Sequence, residues 1–351
     1  MDSYKVIGIM SGTSLDGIDL AYCHFNKVAG EWNYKILKTQ SIPYQDIWKK
    51  KLSEGFKLKE IQLNELSLAY GEYLGLLVLD FIQSNSLDVD FVASHGHTIF
   101  HKPEKGYTLQ IGDGKTIARI CKVPVVFDFR SLDVQLGGQG APLVPIGDQH
   151  LFSGFDYCLN LGGFANISSD ENQKRIAFDI CPVNIVINSI CESIGKSYDH
   201  NGDIAAQGKI IPDLLNQLNS LAYYQQKPPK SLGREWVEKE VLPLFKNTPS
   251  QTKDLLRTYY EHICQQIKKV ITTRSNHSVL VTGGGTHNLF LMKLLKESGL
   301  NYIKASDELI DFKEALIFAF LGVLRMRNEV NCLSSVTGAI RNCSGGQIVY
   351  P

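Results

Sequence analysis

The chain opens on a turn of glycines and hydroxyls, Gly8-Ile9-Met10-Ser11-Gly12-Thr13-Ser14-Leu15-Asp16-Gly17-Ile18-Asp19, set between apolar residues 4–9 and 18–22. Two short strands joined by such a turn can press backbone N–H groups and hydroxyls against phosphate oxygens. The turn lacks the lysine of a P-loop and the GxGxxG of a dinucleotide site. It predicts a phosphate-holding hairpin, with an ordinary polar hairpin tip as the alternative.

The pattern of strand, glycine turn and strand returns at residues 157–168, around Gly162 and Gly163. Such an internal repeat predicts that each half of the chain contributes one phosphate hairpin, so that one nucleoside triphosphate is gripped between two lobes. A third cluster, Gly283-Gly284-Gly285, follows the predicted strand 278–281. Successive glycines let the backbone lie against a planar or anionic ligand, which predicts a nucleoside pocket.

Composition limits the classes of protein that need to be considered. The 351 residues are 44% hydrophobic and 21% charged, which is enough for about two domains. The formal net charge is zero, so no long-range field recruits nucleic acid or an anionic membrane. Scattered cysteines without CxxC spacing, no signal peptide and no apolar run of membrane-spanning length predict a cytoplasmic protein with reduced thiols.

Hydrophobic periodicity predicts the main helices and strands. Helical spacing of apolar residues favours helices over residues 59–84 and 252–274. An apolar run predicts a strand over residues 32–38. A mostly apolar helix with small residues over 311–326 suggests close helix packing between lobes.

Three histidines follow the predicted buried strand 91–94, namely His95, His97 and His101. His95 and His97 would share one face if the strand continued, which permits metal ligation. No Cys, Asp or Glu nearby completes a ligand set. A loop at the carboxyl end of a strand that offers imidazoles to a polar ligand is therefore favoured.

The next strand, residues 123–127, leads into Arg130 and then into a glycine cluster around Gln139. An arginine between acids at a strand end is either a solvated turn or a rim that faces sugar or phosphate. The forked donors of Arg130 suit a carboxylate or a phosphate.

A strand over residues 175–178 delivers Asp179 to its end. An acid at a strand terminus in a cleft is suited to act as a general base. Capping of a helix that starts near Pro182 is an equally good interpretation of the spacing.

Taken in order, these motifs resemble one known family. They read GIMSGTSLDGID, SHGHTIFHKP, DFRSLDVQLGGQGAPLVP, NLGGFANIS, YDHNGDIAAQG, PPKSLGRE, VTGGGTHN and EALIFAFL. Together they cover nearly the whole chain and are similar to the anhydro-N-acetylmuramic acid kinase family. The resemblance implies a two-lobed α/β fold of the actin/hexokinase type, a duplicated ribonuclease H-like fold with a central inter-lobe cleft.

The resemblance also implies an activity and a set of partners. The implied enzyme is a cytoplasmic, ATP- and Mg²⁺-dependent kinase of cell-wall recycling. It opens the internal bridge of 1,6-anhydro-N-acetylmuramic acid with water and phosphorylates the freed 6-oxygen. Lobe I is expected at residues 1–135 plus 312–351 and lobe II at 136–311. A homodimer is compatible with the resemblance, and no nucleic acid or membrane partner is expected.

Family roles can be carried onto this sequence residue by residue. Asp179 matches the catalytic base that activates water. His95, Arg130, Gln139 and Glu314 are expected to line the sugar side, and no residue is assigned as a protein ligand of a resident metal. The residues expected to hold the nucleotide and Mg²⁺ are Gly12, Thr13, Ser14, Leu15, Asp16, Gly17, Ile18, Asp19, Gly162, Gly163, Gly283, Gly284 and Gly285.

The sequence departs from the family pattern at three places. Cys181-Pro182-Val183-Asn184 replaces the usual GPGN, Asn188 stands where Asp is common, and His97 replaces Gln. These changes leave two alternatives to the kinase open. One is a sensor that binds nucleotide and sugar with little chemistry, and the other is a kinase for a different sugar. A hydrolase that does not use ATP is disfavoured, because three glycine turns would then have no purpose.

Overall fold

The structure, a computed structural model, describes residues 2–172, 174–271 and 277–351. The chain forms two compact units, Met1–Leu151 with Phe312–Pro351, and Phe152–Asp311. The second boundary agrees with the prediction at 311/312. The first lies at 151/152 instead of 135/136, so residues 136–151 belong to the first unit.

The strands are, in chain order, β1 Ser3–Ser11, β2 Gly17–Val28, β3 Glu31–Pro43, β4 Phe91–Ser94, β5 His97–Lys102, β6 Tyr107–Ile111, β7 Val125–Phe127, β8 Tyr157–Leu161, β9 Phe164–Glu171, β10 Lys174–Pro182, β11 Val279–Thr282, β12 Ile303–Lys304 and β13 Gln347–Val349.

The helices are α1 Asp46–Glu54, α2 Glu60–Ser84, α3 Gly114–Cys121, α4 Ser131–Gln135, α5 Val144–Leu151, α6 Asn184–Glu192, α7 Pro212–Asn219, α8 Arg234–Trp236, α9 Leu242–Lys246, α10 Thr252–Val270, α11 Leu289–Glu297, α12 Asp307–Met326 and α13 Ser334–Thr337. The predicted helix 252–274 is thus shorter than expected, and Arg274 lies outside the described residues. No helix in the described ranges has both the length and the hydropathy of a membrane span.

The sheet of the first unit has the order β3-β2-β1-β4-β7-β13. β1, β2 and β3 form an antiparallel meander, and β4 and β7 continue the sheet parallel to β1. Because β1, β4 and β7 run in the same direction, the loops that follow them leave from one edge of the sheet. β5 and β6 form a separate hairpin between β4 and α3.

The sheet of the second unit repeats this order as β10-β9-β8-β11-β12. β8, β9 and β10 form the antiparallel meander, and β11 and β12 run parallel to β8. Both units therefore have the strand order 3-2-1-4-5 that defines the ribonuclease H-like topology. The predicted duplication is confirmed.

The small residues of α12 pack against the sheet of the first unit. A Cβ on Gly8 of β1 would lie 1.9 Å from the Ala315 carbonyl oxygen, and one on Gly322 would lie 2.8 Å from the Ala93 Cβ. These approaches leave no room for larger side chains. The small residues of α12 are therefore used for close packing on the sheet of the first unit.

Contacts with α12 also explain why α5 belongs to the first unit. Lys313 and Asp148 form a buried ion pair with an N···O distance of 2.8 Å. A Cβ on Gly147 would lie 2.8 Å from the Ile317 side chain. These contacts join α5 to α12, and the first segment of the first unit therefore extends to Leu151, the last residue of α5.

Candidate active site

The first glycine turn forms the predicted hairpin. β1 ends at Ser11 and β2 begins at Gly17, so residues 12–16 form the tip. Leu15 adopts a positive φ of 62° within this tip. Thr13, Ser14 and Asp16 are exposed, so two hydroxyls and a carboxylate are presented to solvent.

Asp19 is the third residue of β2 and pairs with Met10 on β1. The hydroxyl of Ser41 on β3 donates to Asp19 Oδ1 at 2.5 Å. Asp19 is also close enough to Glu314 of α12 to raise the pKa of that residue. The hairpin and α12 therefore bring two carboxylates towards each other within the first unit.

His95 and Arg130, which follow β4 and β7 respectively, form a hydrogen-bonded pair. Arg130 donates from Nε at 3.1 Å and from Nη2 at 2.8 Å to His95 Nε2. Its Nη1 donates to the Gly140 carbonyl oxygen at 2.6 Å. Burial and the adjacent guanidinium hold the pKa of His95 well below its usual range, so the imidazole is neutral at physiological pH and accepts through Nε2.

Glu314 extends this cluster. Its pKa is raised chiefly by loss of solvation, while Arg130 and Lys313 oppose that rise. Arg130 itself is desolvated, which lowers its pKa to about 10 and keeps it charged at neutral pH. The structure thus brings together three of the four predicted sugar-side residues.

Gln139, the fourth, has an exposed side chain. Its backbone N–H donates to the Thr337 carbonyl oxygen at 2.8 Å, while the neighbouring Gly140 receives Arg130. The loop that carries Gln139 is therefore fixed beside Arg130, although in the described residues the Gln139 amide makes no hydrogen bond to His95, Arg130 or Glu314.

The histidines do not converge on a common metal position. β4 ends before His95, and His97 starts β5 in a different sheet. His97 Nδ1 shares a hydrogen bond with the Ser11 hydroxyl at 2.9 Å, and burial lowers its pKa to about 4. His101 instead faces Thr108 at 3.3 Å. Each imidazole takes part in a separate hydrogen bond to another protein group, and the offer of imidazoles to a polar ligand stays a prediction.

The second glycine turn is held against the start of α6. Val183 N–H donates to the Gly163 carbonyl oxygen at 2.7 Å, and Asn184 N–H donates to that of Gly162 at 3.3 Å. A Cβ on Gly163 would meet nothing within 4 Å. Gly163 therefore presents an open stretch of backbone, while Gly162 is tied into the hairpin by its own N–H to the Phe164 carbonyl oxygen at 3.0 Å.

A row of polar residues crosses the second sheet beside this turn. Asp179 pairs with Asn166, Asn166 with Asn160, and Asn160 with Thr282. Residues directly opposite each other in neighbouring strands point to the same face. Sequence reasoning overlooked Asn160 and Asn166, although each lies three residues from Gly163, the symmetric spacing of paired positions in a hairpin.

Asp179 lies inside β10, which continues to Pro182 with a bulge between Asp179 and Cys181. The predicted strand end at residue 178 is therefore wrong. Helix α6 begins at Asn184 with Val183 at its N-cap, so the capping interpretation of Asp179 is also wrong. A bulge redirects a side chain locally, and here it follows directly after the acid.

The Asp179 carboxylate is half-buried and has one protein partner. Leu232 N–H donates to Oδ2 at 2.8 Å. Burial raises the pKa of Asp179, and the Leu232 N–H partly offsets this effect. In the described residues no protein donor contacts Oδ1.

The third glycine turn combines two packing glycines with one open glycine. Gly283 has φ +87°, and a Cβ there would lie 2.6 Å from Asn160 Oδ1; on Gly285 it would lie 2.9 Å from the Leu161 carbonyl oxygen. A Cβ on Gly284 would meet nothing within 4 Å. Only part of the turn is therefore free to contact a ligand.

Gly284 and Gly285 border a pocket of about 410 Å³ within the second unit. Its other lining residues are Asn184, Ile187, Asn188, Tyr198, Asp199, His200, Asn201, His287 and Asn288. Amides, an imidazole pair and one aromatic ring around an open glycine backbone suit the hydroxyls and flat base of a nucleoside. Asn188, one of the family departures, is part of this wall.

The other main departure from the family pattern, Cys181-Pro182-Val183-Asn184, places two of its side chains in the hydrophobic core. Cys181 and Val183 each have 0% exposure, and both belong to the core of the second unit. Their side chains thus fill the interior instead of narrowing a ligand pocket. The sequence-based reason for a catalytically weak sensor loses its support.

Two sheets of order 3-2-1-4-5, each with a glycine turn after its first strand, define the duplicated ribonuclease H-like class to which actin, hexokinase and related ATPases belong. A family model described as anhydro-N-acetylmuramic acid kinase matches residues 4–351. This chain belongs to the anhydro-N-acetylmuramic acid kinase family.

Two relatives with similar sequences agree with this assignment. The chain is 36% identical to the anhydro-N-acetylmuramic acid kinase of Francisella tularensis subsp. novicida over 385 aligned positions that cover all of both chains. It is 35% identical to that of Zymomonas mobilis subsp. mobilis, covering 98% of this chain and 99% of the relative. Among solved structures, component A of the Acidaminococcus fermentans (R)-2-hydroxyglutaryl-CoA dehydratase aligns with a TM-score of 0.42 and 12% identity, over 90% of this chain and 96% of that one.

Proposed function

We propose that this protein is an ATP-dependent kinase that opens the 1,6-anhydro ring of 1,6-anhydro-N-acetylmuramic acid with water. It phosphorylates the freed 6-oxygen and gives N-acetylmuramic acid 6-phosphate for cell-wall recycling. Family membership over residues 4–351 supports this activity. The observation that carries the mechanism is Asp179, a half-buried carboxylate with one oxygen unoccupied by protein donors.

The reaction joins two bond exchanges. A water oxygen attacks the anomeric carbon while its proton passes to Asp179, and the bond from that carbon to the bridging oxygen breaks. The bridging oxygen then attacks the γ-phosphorus, and the bond to the β,γ-bridging oxygen breaks to release ADP. The leaving group of the first exchange is the nucleophile of the second, so correct positioning lowers both barriers.

The environment of Asp179 suits a general base. Burial raises its pKa, which increases its affinity for the water proton, and the Leu232 N–H keeps part of the ionised form stabilised. A base with a pKa moved towards the working pH accepts a proton more readily than an ordinary aspartate does.

The three glycine turns are assigned to ATP. The tip residues 12–16 and the open backbone at Gly163 would contact phosphate oxygens through N–H groups and hydroxyls. Gly284 and the pocket beside it would hold the nucleoside. Asp16 and Asp19 carry carboxylate oxygens and the tip carries hydroxyls, which are the kinds of oxygen ligand that Mg²⁺ prefers. When bound there, Mg²⁺ would neutralise phosphate charge.

The cluster of His95, Arg130 and Glu314 is assigned to the sugar. Neutral His95 and charged Arg130 fix each other, and Glu314 adds a carboxylate that can accept from a hydroxyl. Gln139 joins this group through the loop that receives Arg130. We also assign the protein to the cytoplasm, where ATP is available, and retain a homodimer as its proposed assembly.

The assignment is tested by incubating the protein with ATP and a panel of sugars: the anhydro sugar, ring-opened N-acetylmuramic acid, N-acetylglucosamine and glucose. ADP release and product mass are measured together. We expect product only from the anhydro sugar, with the mass of one water and one phosphoryl group added. Preferential phosphorylation of a ring-opened sugar would assign the protein to a different kinase reaction, and binding without product would support the sensor.

A further inference from the structure

Three of the four backbone and carboxylate polar groups of Asp179 are bonded by a single segment of the chain. Asp179 N–H donates to the Lys230 carbonyl oxygen at 3.2 Å. The Tyr223 hydroxyl donates to the Asp179 carbonyl oxygen at 2.7 Å. Leu232 N–H donates to Oδ2 at 2.8 Å. Only Oδ1 is left without a protein partner in the described ranges.

This segment is itself anchored. Lys230 Nζ lies 4.5 Å from the centre of the Tyr223 ring and donates to the Tyr223 carbonyl oxygen at 3.3 Å. The Trp236 ring also packs on Tyr223, with 5.3 Å between the two ring centres. The next residue, Tyr224, hydrogen-bonds His262 of α10 at 3.0 Å. Both ends of the loop are thus attached to the core of the second unit.

The contacts are directed at the residue next to an unpaired position: Asp179 still pairs with Asn166, but Ile180 after it has no partner in β9. Asp179 stands beside the bulge in β10, where the ladder to β9 is interrupted. Without an outside partner, the backbone at a bulge could tilt and turn the carboxylate. Bonds to the N–H, the carbonyl and one carboxylate oxygen together fix the position of the backbone and the rotation of the side chain.

We propose that Tyr223 and residues 228–232 form a positioning clamp, which occupies Oδ2 of Asp179 and leaves Oδ1 as the single oxygen that takes the proton from water. The clamp residues are positioning residues, because they act through Asp179 and do not contact the reacting atoms. The proposal rests on the catalytic role given to Asp179 above.

The clamp has a signature in pH dependence. An N–H donor to Oδ2 stabilises the ionised carboxylate, so its removal should raise the pKa of Asp179. The neighbouring titratable groups do not change their protonation state in the acid range, where Asp179 titrates. Burial raises the pKa of Cys181 and of Tyr223, which both stay protonated, and Lys230 stays charged there although its pKa is lowered.

The test replaces Leu232 with its α-hydroxy acid, which changes one backbone amide to an ester and removes only the N–H. The matched control is the same exchange at Gly233, whose N–H makes no contact with Asp179. We expect the acid limb of kcat/KM for phosphorylation to move up by about one pH unit in the Leu232 ester. The Gly233 ester should keep the wild-type limb. An unchanged limb in the first, or an equal shift in both, would overturn the clamp.

A second readout does not depend on turnover. The Asp179 carboxyl carbon can be titrated by NMR in ¹³C-Asp-labelled protein, with Asp179→Asn used to assign the signal. The clamp predicts the same upward shift in the Leu232 ester whether or not the anhydro sugar is a substrate. A shift without phosphorylation would therefore overturn the proposed function and retain the clamp, while phosphorylation without a shift would do the reverse.

A genetic variant tests the backbone contact. Tyr223→Phe removes the hydroxyl that holds the Asp179 carbonyl but keeps the ring that packs on Lys230 and Trp236. We expect kcat to fall about tenfold with KM for ATP unchanged, because the base is displaced while the nucleotide site is not. Tyr224→Phe is the control, since it loses a buried hydrogen bond to His262 without touching Asp179. Equal losses of kcat in the two variants would indicate a purely structural effect.

Discussion

The pKa of the Asp179 carboxylate is set by two opposing effects in its immediate surroundings. Burial disfavours its ionised form, and one N–H, from Leu232, favours it. The result is an acid whose proton affinity is raised and whose second oxygen remains available. Neither effect can be inferred from the identity of the residue alone.

Replacement of Asp179 by Asn should abolish turnover while ATP binding is kept. The amide has nearly the same shape but cannot accept the proton of the attacking water, and loss of a general base costs about 10² to 10⁴ in rate. Steady-state kinetics and calorimetric titration with an ATP analogue measure the two effects. Glu171→Gln, at the exposed end of β9, serves as the control. A fully active Asn variant would refute the assignment of the base.

The same substitution should change stability with a defined sign. A carboxyl whose folded-state pKa is raised destabilises the fold above that pKa, and this penalty vanishes below the unfolded-state pKa. Asp179→Asn should therefore raise the melting temperature at pH 7 by a few degrees, about the shift that ~1 kcal/mol produces in a domain of this size. The difference should disappear as the pH falls through the acid range. Differential scanning calorimetry across pH measures it, and an Asn variant less stable at pH 7 would contradict the raised pKa.

The sequence allowed a residue to be picked out as a site candidate where it lay in a specific motif. Asp179 and the glycines stood out by their neighbours, whereas the signal for Asn160 and Asn166 was only their symmetric spacing about Gly163. Their alignment with Asp179 arises from the register of three strands. Register is set by the pairing of strands across the sheet. The sequence alone predicts that pairing only where two strands are joined by a turn as short as the one between β8 and β9.

At the scale of elements, the third glycine turn shows that neighbouring glycines can serve different purposes. Gly283 is required by its positive φ and by its approach to Asn160, and Gly285 by its contact with Leu161. Gly284 is open on the side of the pocket. One stretch of three identical residues thus carries both a structural and a ligand-facing role.

Two substitutions in this turn should separate the roles. Gly284→Val should raise KM for ATP about tenfold, because its side chain projects towards the nucleoside pocket, and should leave the melting temperature nearly unchanged. Gly283→Ala should instead lower stability by about 1 kcal/mol or more, because alanine is strained at this φ and its Cβ meets Asn160 and Leu161. Kinetics with varied ATP and thermal unfolding measure the pair. A reversed pattern would show that the turn has been assigned incorrectly.

The elements themselves were largely predictable. Glycine turns between apolar runs gave both hairpins, and helical spacing gave α2 and α10. Two boundaries were missed for physical reasons. β10 continues through Pro182 because it is an edge strand, where a missing N–H costs no ladder bond. α12 starts at Asp307, four residues before the predicted start, because the acidic Asp307 and Glu308 are favourable in the first turn of a helix although they add nothing to its apolar face.

At the scale of the whole molecule, two units repeat one strand order, and the chain returns to the first unit through α12. The boundary at 151/152 follows from the buried pair of Lys313 and Asp148, which joins the segment before the second unit to the segment after it. Sequence reasoning placed this boundary at the glycine cluster instead, because charge pairing over such a distance along the chain leaves no local pattern.

The ion pair gives a test of this boundary. Asp148→Ala should lower the free energy of unfolding by about 3–5 kcal/mol, because it removes the carboxylate that pairs with the buried Lys313 charge. Adding Lys313→Met should recover much of the loss by removing that charge. Chemical denaturation of the single and double variants measures both values. A loss of unfolding free energy below about 1 kcal/mol in Asp148→Ala would show that the Asp148–Lys313 ion pair is not buried.

The central claim is that one water opens the anhydro ring while the ring oxygen receives the phosphoryl group. It is tested most directly by tandem mass spectrometry of the product formed from the anhydro sugar and ATP in ¹⁸O-labelled water. Unlabelled product held in the same water corrects for exchange at the anomeric position. The account predicts one ¹⁸O at the anomeric oxygen and one phosphoryl group on an unlabelled 6-oxygen. Label at the 6-oxygen, or ring-opened sugar without phosphate as the main product, would contradict it.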